Sequence, residues 1–281
     1  MLPEGTEDLI RRALLEDVGS GDHTSLSTIP AGSRGAARLL VKQDGVLAGV
    51  ELAEAICAHF DPALRLRVLI QDGAAVKVGD VPFTITGPAR SILTVERTVL
   101  NFMQRMSGTA TLTRRFVEAL DGTGCRVLDT RKTTPVLRAI EKWAVRIGGG
   151  HNHRHGLYDM VMIKDNHVDL AGGIPEAVRA AQRYLSDNAL KLAIEVETRN
   201  LQEVRIALSA NGVHRIMLDN FGFDDLRKAV RLINRACETE ASGGITLANA
   251  RQFAECGVDF ISVGALTHSA GSLDLSRKAM I

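Results

Sequence analysis

Residues 192–219 read LAIEVETRNLQEVRIALSANGVHRIMLD and carry the pattern that decides the fold class. The apolar runs Leu192–Glu197 and Arg215–Asp219 have the length of buried strands, and Asn200–Leu208 between them has helical spacing. A strand, a helix and a second strand in this order form a parallel pair joined by a right-handed crossover. The segment therefore predicts an α/β fold built on a parallel sheet.

The same alternation of strand and helix continues on both sides of this segment. Further strands are predicted at Cys125–Asp129, Met160–Lys164, Glu238–Ala241 and Phe260–Val263, and further helices at Ile174–Leu185, Asp224–Asn234 and Leu247–Cys256. About six such units fit a closed or open α/β barrel better than the eight-stranded type. We therefore expect a barrel domain over residues 108–265.

Residues 1–107 have a different pattern, in which short strands alternate with turns. Strands are predicted at Arg38–Val46, Leu64–Ile70 and Val81–Ile85, a helix at Leu52–Phe60, and a long helix from about Ile92 to Leu120. Pairs of Asp and Gly separate the strands, as expected for tight turns. This region is predicted to be a separate α/β domain.

The composition is that of a globular protein without a strong overall charge. The chain has 281 residues, 45% of them hydrophobic, and a net charge of +1, so we expect no general affinity for nucleic acid or membranes. The N-terminus lacks the apolar core of a signal peptide, and no run of about 18 apolar residues could span a bilayer. The four cysteines form no Cys-x-x-Cys pair. We expect reduced thiols and a cytoplasmic location.

Polar or glycine residues lie at the carboxyl end of every predicted barrel strand. They are Asp129–Thr133, Lys164–His167, Glu195 with Glu197, Asp219–Asn220, Ser242–Gly244 and Gly264–Ala265. Because parallel barrel strands end on one rim, these groups are expected to converge there. Glu195 and Glu197 point to the same face of their strand, and paired inward carboxylates are costly to bury without partners, which favours a functional role.

The basic and the acidic residues of this rim lie in different parts of the chain. Between Arg97 and His167 there are twelve Lys and Arg against six Asp and Glu, which predicts a basic pocket for a small polyanion. The later rim residues Glu195, Glu197 and Asp219 are acidic, and hard oxygen ligands beside a basic pocket indicate Mg²⁺ carried with a phosphorylated substrate. Taken alone, Arg131 and Lys132 could also be a solvated turn.

The stretch Ser242-Gly243-Gly244 is a candidate phosphate site. Small residues let main-chain N–H groups approach a phosphate, and a helix predicted to begin at Thr246 would add its dipole. Gly264, at the end of the next strand, completes the last two barrel loops, where phosphates are commonly bound.

Eight segments along the chain resemble the quinolinate phosphoribosyltransferase family in order and spacing. They are GDHTS (21–25), VERTVLNFMQRMSGTAT (95–111), DTRKTTP (129–135), AVRIGGGHNHRHGLYDMVMIKDNH (144–167), IEVET (194–198), IMLDNF (216–221), ASGGIT (241–246) and ISVGALTHS (261–269). The resemblance implies an N-terminal α/β sandwich domain, joined by the C-terminal tail 266–281, and a six-stranded open barrel. It covers essentially the full chain.

The resemblance also implies a role for each candidate residue. Quinolinate would be bound by Arg97, Arg131, Lys132, His153, Arg154 and Lys164; phosphoribosyl pyrophosphate by Glu197, Asp219, Ser242, Gly243 and Gly264; and Mg²⁺ by Glu197 and Asp219. Lys132, Lys164, Glu197 and Asp219 would form the catalytic set. Arg97 resembles an arginine that reaches the active site of a partner subunit, which implies a homodimer or a larger oligomer built from dimers.

The implied reaction yields nicotinate mononucleotide, CO₂ and pyrophosphate in de novo NAD biosynthesis, without an organic cofactor. Two alternatives remain at this point. One is a ModD-like relative with another substrate, against which the complete basic set argues. The other is a non-catalytic sensor of phosphoribosyl pyrophosphate, against which the complete catalytic set argues.

Overall fold

In a computed structural model, which describes residues 2–280, the chain divides into two compact units. The first comprises residues 2–114, 133–149 and 266–280, and the second comprises 115–132 and 150–265. Segment 133–149 therefore belongs to the first unit, whereas the sequence placed it in the barrel domain. Its buried residues Ile140, Trp143 and Ala144 explain the difference, because they join the hydrophobic core of the first unit.

The first unit combines an antiparallel sheet with helices. Numbered in chain order, its helices are α1 (Thr6–Val18), α2 (His23–Thr28), α3 (Val50–Phe60), α4 (Ala89–Ala119, which continues into the second unit) and α5 (Arg138–Ile147), and its strands are β1 (Arg34–Val41), β2 (Gly45–Val46), β3 (Arg65–Val68), β4 (Ala75–Val76), β5 (Phe83–Pro88) and β12 (Leu275–Met280). The main sheet has the order β12-β1-β5-β3, with every neighbouring pair antiparallel. The C-terminal strand thus belongs to the N-terminal sheet.

The second unit is a parallel α/β structure. Its strands are β6 (Arg126–Leu128), β7 (Val161–Ile163), β8 (Ile194–Thr198), β9 (Arg215–Asp219), β10 (Glu238–Ser242) and β11 (Phe260–Ser262), and its helices are α6 (Asp165–Ala171), α7 (Ile174–Asp187), α8 (Leu201–Ser209), α9 (Phe223–Ile233) and α10 (Ala250–Ala254); α11 (Ala265–His268) follows β11. The sheet has the order β6-β11-β10-β9-β8-β7 and is parallel throughout. The predicted fold class is confirmed.

All six predicted barrel strands are present within a few residues of their expected bounds. The largest error in this unit is α6, which the sequence did not predict, and the helix predicted at Leu247–Cys256 is shortened to Ala250–Ala254. The sequence also did not predict α1, in which Ile10 and Leu14 are buried one helical turn apart. None of the helices in residues 2–280 combines the length and the apolar composition needed to cross a bilayer.

A buried carboxylate ties three segments of the first unit together. Glu141 of α5 lies 2.7 Å from Nη2 of Arg105 on α4, and it accepts hydrogen bonds from the main-chain N–H and hydroxyl of Thr134. Arg105 also donates to the carbonyl oxygens of Thr267 and Ala270 in the C-terminal segment. Because Glu141 is almost fully buried, it depends on these donors for compensation of its charge.

Replacing Arg105 by alanine should lower the free energy of unfolding by about 3 kcal/mol, because a buried charge loses its partner. Chemical denaturation measures this loss. A second change, Glu141→Gln, should recover part of it by removing the uncompensated charge. The control is Arg11→Ala, which breaks an exposed pair with Asp8 and should change little. Equal effects of Arg105→Ala and Arg11→Ala would contradict the prediction.

Candidate active site

One cavity of about 440 Å³ lies in the second unit at the carboxyl ends of the parallel strands. Its lining consists of Thr130, Arg131, Lys132, His153, Arg154, Met162, Lys164, Glu197, Met217, Asp219, Glu240, Ser242 and Ser262. Every strand of the six-stranded sheet contributes, either from its last residues or from those that follow it. A sheet whose six strands line one cavity must curl around it, as expected for a barrel.

The lining residues follow the alternation of a β-strand. Met217 and Asp219 lie two residues apart on β9, and Glu240 and Ser242 lie two residues apart on β10, so each pair shares one face. That face is the interior of the barrel. The side chains are therefore stacked in layers, with Met217 and Glu240 below Asp219 and Ser242.

Most of the predicted site residues meet in this cavity. Those that line it are Arg131, Lys132, His153, Arg154, Lys164, Glu197, Asp219 and Ser242. Gly243 directly follows the lining residue Ser242, and Gly264 lies two positions after the lining residue Ser262. Neither glycine is itself part of the lining. Arg97 belongs to the first unit, where it is exposed on α4 and does not line the cavity.

Cationic and anionic groups meet at the rim. Nζ of Lys164 lies 2.7 Å from Oε2 of Glu197, and Lys164 is partly exposed whereas Glu197 is buried. Burial and the charge of Glu197 raise the pKa of Asp219 above its usual value. Because the charge of Glu197 disfavours the ionised form of Asp219, a cation placed between the two side chains would be stabilising, and Lys164 supplies part of this positive charge.

The basic side of the cavity is crowded with positive charge. Partial burial and the neighbouring charge of Arg131 lower the pKa of Arg154, and the charge of Glu195 acts in the opposite direction. The loop that carries Arg154 is fixed from below, because buried Asp129 accepts hydrogen bonds from the main-chain N–H of His153 and from the side chain of Asn152. A bound dianion would relieve the repulsion between these cations.

The turn after β10 fits the close approach expected of a phosphate loop. Gly243 has a φ of 96°, and a side-chain carbon there would overlap the side chain of Asn220, so this position requires glycine. The helix predicted to begin at Thr246 is wrong in its bounds, because α10 begins only at Ala250. No helix therefore begins directly after the glycine turn, and the expected contribution of a helix dipole to phosphate binding there is wrong.

A buried ionic cluster adjoins the cavity, and two of its members, His153 and Glu240, are among the lining residues. Nε2 of His153 is 3.1 Å from Glu195 and 3.4 Å from Glu240, and Nη1 of Arg215 is 3.0 Å from Glu240. Both carboxylates are fully buried. Glu195 was predicted from the sequence, whereas Glu240 and Arg215 were not. The signal for Glu240 was its position two residues before Ser242, on the same face of β10.

Opposing influences act on the ionisation of this cluster. Burial lowers the pKa of His153, whereas hydrogen bonds and charges from Glu195 and Glu240 raise it. The main-chain N–H of Arg154, 2.7 Å from Nδ1 of His153, acts against this rise, because a donor aimed at Nδ1 disfavours a proton there. Burial and the charge of Glu240 raise the pKa of Glu195.

Comparison with known proteins identifies the family. The family model described as the C-terminal domain of quinolinate phosphoribosyl transferase matches residues 109–278, and the model of the N-terminal domain matches residues 22–107. The chain belongs to the quinolinate phosphoribosyltransferase family. The resemblance inferred from the sequence motifs is thereby confirmed, and the cavity described above lies within the segment that matches the C-terminal domain.

Individual members of the family are similar over nearly the whole chain. Quinolinate phosphoribosyltransferase [decarboxylating] 2b, mitochondrial, from Nicotiana tabacum is 46% identical over 97% of this chain and 81% of that protein. Nicotinate-nucleotide pyrophosphorylase [carboxylating], chloroplastic, from Arabidopsis thaliana is 48% identical over 96% of this chain and 81% of that protein. The crystal structure of NadC from Streptococcus pyogenes superposes with a TM-score of 0.94 at 38% identity, covering 99% of this chain and 97% of that one.

Proposed function

We propose that this chain transfers the phosphoribosyl group of phosphoribosyl pyrophosphate to quinolinate in the cavity described above, with loss of CO₂. Membership of the family confirms the predicted enzyme class, a decarboxylating pentosyltransferase of NAD biosynthesis. The observation that carries the assignment to this cavity is its sorted charge: Arg131, Lys132 and Arg154 occur together with the carboxylates Glu197 and Asp219.

The basic residues act first, by holding the substrate. Quinolinate carries two carboxylates at neutral pH, and Arg131, Lys132, Arg154 and Lys164 supply charge-assisted hydrogen bonds to them. This orients the ring nitrogen towards C1′ of the ribose. The new N–C1′ bond forms as the bond from C1′ to pyrophosphate breaks, and positioning together with electrostatics supplies most of the rate.

Decarboxylation follows from the product of the transfer. Once the nitrogen carries the ribose, the ring is a pyridinium cation, and the 2-carboxylate leaves as CO₂ with its electron pair remaining at C2. The adjacent positive nitrogen stabilises that carbanion until a proton replaces the carboxylate. We propose Lys132 and Lys164 as the side chains nearest this carboxylate and the ribose. The chemistry requires no organic cofactor, because the ring itself stabilises the electron pair.

Glu197 and Asp219 are proposed to hold Mg²⁺ together with phosphoribosyl pyrophosphate. Their oxygens are ligands that Mg²⁺ prefers, and the raised pKa of Asp219 reflects burial and repulsion by Glu197, which a cation would relieve. When bound, the ion would neutralise the departing pyrophosphate. Ser242, Gly243 and Gly264 are proposed for the phosphate side, where Gly243 has no side chain to separate a phosphate from the main chain.

A single assay tests the function and its metal requirement. Purified chain, Mg²⁺, phosphoribosyl pyrophosphate and quinolinate labelled at the 2-carboxylate should release labelled CO₂ and form nicotinate mononucleotide in equal amounts. Removing the metal with EDTA should lower the rate at least about 100-fold, and added Mg²⁺ should restore it. Ligand binding without CO₂ release would instead support a sensor, and an unchanged rate in EDTA would contradict the metal proposal.

Two further properties are proposed rather than given by the family. A homodimer, or an oligomer built from dimers, would let Arg97 act in the cavity of a partner subunit. We also propose a cytoplasmic location, although the plant relatives above are named mitochondrial and chloroplastic.

Burial raises the pKa of Cys57 and Cys125 to about 12, as expected of packing thiols that stay reduced.

A further inference from the structure

Both ring nitrogens of His153 contact other groups of the protein. On one side Nε2 lies 3.1 Å from Oε2 of Glu195 and 3.4 Å from Oε2 of Glu240. On the other side Nδ1 accepts the main-chain N–H of Arg154 at 2.7 Å. His153 lines the cavity, but the polar atoms of its ring are directed at the protein. A direct bond from this ring to a substrate carboxylate would require one of these contacts to be given up.

The hydrogen bond at Nδ1 of His153 affects the position of the neighbouring residue, Arg154. Arg154 lines the cavity, and its guanidinium donates to the carbonyl oxygen of Met160 at 3.2 Å. The direction of the guanidinium therefore depends on this hydrogen bond and on the position of the main chain of Arg154. The ring of His153 holds that main chain from one side. Asp129 holds the main-chain N–H of His153 at 2.9 Å and so fixes the start of the same segment.

The carboxylates in turn hold the ring of His153. Glu195 and Glu240 have fully buried side chains, and Arg215 balances Glu240 through a bond of 3.0 Å from Nη1. Arg215 also contacts Glu238 and lies over the ring of Phe260, 4.3 Å from its centroid. A guanidinium fixed in this way already supplies the positive charge that a metal ion would bring to the two carboxylates. The cluster is therefore suited to orienting a side chain rather than to binding a cation.

We propose that His153 is a positioning residue that does not itself bind quinolinate. Glu195 and Glu240 hold its ring through Nε2, and its Nδ1 holds the main chain of Arg154, so that the Arg154 guanidinium faces the substrate carboxylate. This inference rests on the proposed function, and it assigns His153 a different role from the direct contact that the sequence resemblance implied.

A double-mutant cycle on quinolinate binding separates the two roles. His153→Ala should weaken binding about 10-fold in the wild-type background, measured by titration calorimetry, because Arg154 loses its orientation. In the Arg154→Ala background the same change should alter the dissociation constant less than about 2-fold, since the group through which His153 acts is gone. Equal losses in both backgrounds would show direct contact and overturn the proposal.

Matched variants keep the test decisive. Glu195→Gln preserves the shape of the cluster if His153→Ala fails to fold, and it should show the same dependence on Arg154. His151→Ala, an exposed histidine of the same loop, should leave binding unchanged. If the wild-type chain does not bind quinolinate, the proposed function fails; if it binds and the cycle is additive, only the positioning role fails. Tight Zn²⁺ binding that is lost in Glu240→Gln would also overturn it.

Discussion

Nicotinate should be a substrate about 10⁴-fold poorer than quinolinate in kcat/KM, because it lacks the 2-carboxylate that the cations of the cavity are proposed to hold. Arg131, Lys132 and Arg154 line the same cavity, and burial together with Arg131 already disfavours the charged form of Arg154. With nicotinate bound, part of this charge would stay uncompensated in a partly buried site. Each unmatched group costs on the order of 1–3 kcal/mol.

Initial rates with the two acids, at saturating phosphoribosyl pyrophosphate, measure this ratio. The informative variant is Arg154→Gln, which keeps polarity and approximate size but removes a charge. It should lower the rate with quinolinate much more than the rate with nicotinate, so that the ratio shrinks. A ratio below about 10 for the wild-type chain would show that the basic wall does not select the second carboxylate.

Replacing Arg97 by alanine should lower kcat/KM for quinolinate about 10³-fold, because Arg97 is proposed to pair with a carboxylate of the substrate. Arg97 is exposed on α4 of the first unit, and the cavity is lined without it. Its loss should leave the free energy of unfolding unchanged, since it contributes no core packing. Arg115→Ala, which removes another exposed cation of the same helix, is the control and should keep full activity.

Subunit complementation tests whether Arg97 acts across a dimer interface. Arg97→Ala and Lys132→Ala chains, each inactive alone, are mixed under conditions that exchange subunits. If the site is shared, each mixed dimer has one site with both changes and one with neither, so activity should recover to about one quarter of the wild-type value. Mixed dimers without activity would place Arg97 in its own subunit's site or in a purely structural role.

The barrel could be predicted from the sequence because its signals are local. The strand Arg215–Asp219 was predicted with its observed bounds, and the other barrel strands were displaced by only a few residues. Short buried strands between amphipathic helices have few alternative arrangements. Segment 133–149 was harder to place, because an apolar face such as that of Ile140 and Ala144 can join any core and does not say which one.

The residues of the site also divide into those that the sequence predicted and those that only the structure places. The sequence alone determined which residue types end the parallel strands, and therefore that Lys164, Glu197, Asp219 and Ser242 would share a rim, because parallel strands all present their carboxyl ends on the same side. That inference needs chain order and the period of a strand, and both can be read from the residues themselves.

Only the tertiary structure decided which charges neutralise one another. Glu240 and Arg215 lie 25 positions apart in the numbering and on adjacent strands, and the pairing of Glu240 with both Arg215 and His153 depends on strand register and side-chain direction. The partnership of Arg105 with Glu141 likewise spans 36 positions. The energy of a buried charge depends on distances of a few ångströms to its partners, and those distances exist only once the chain has folded.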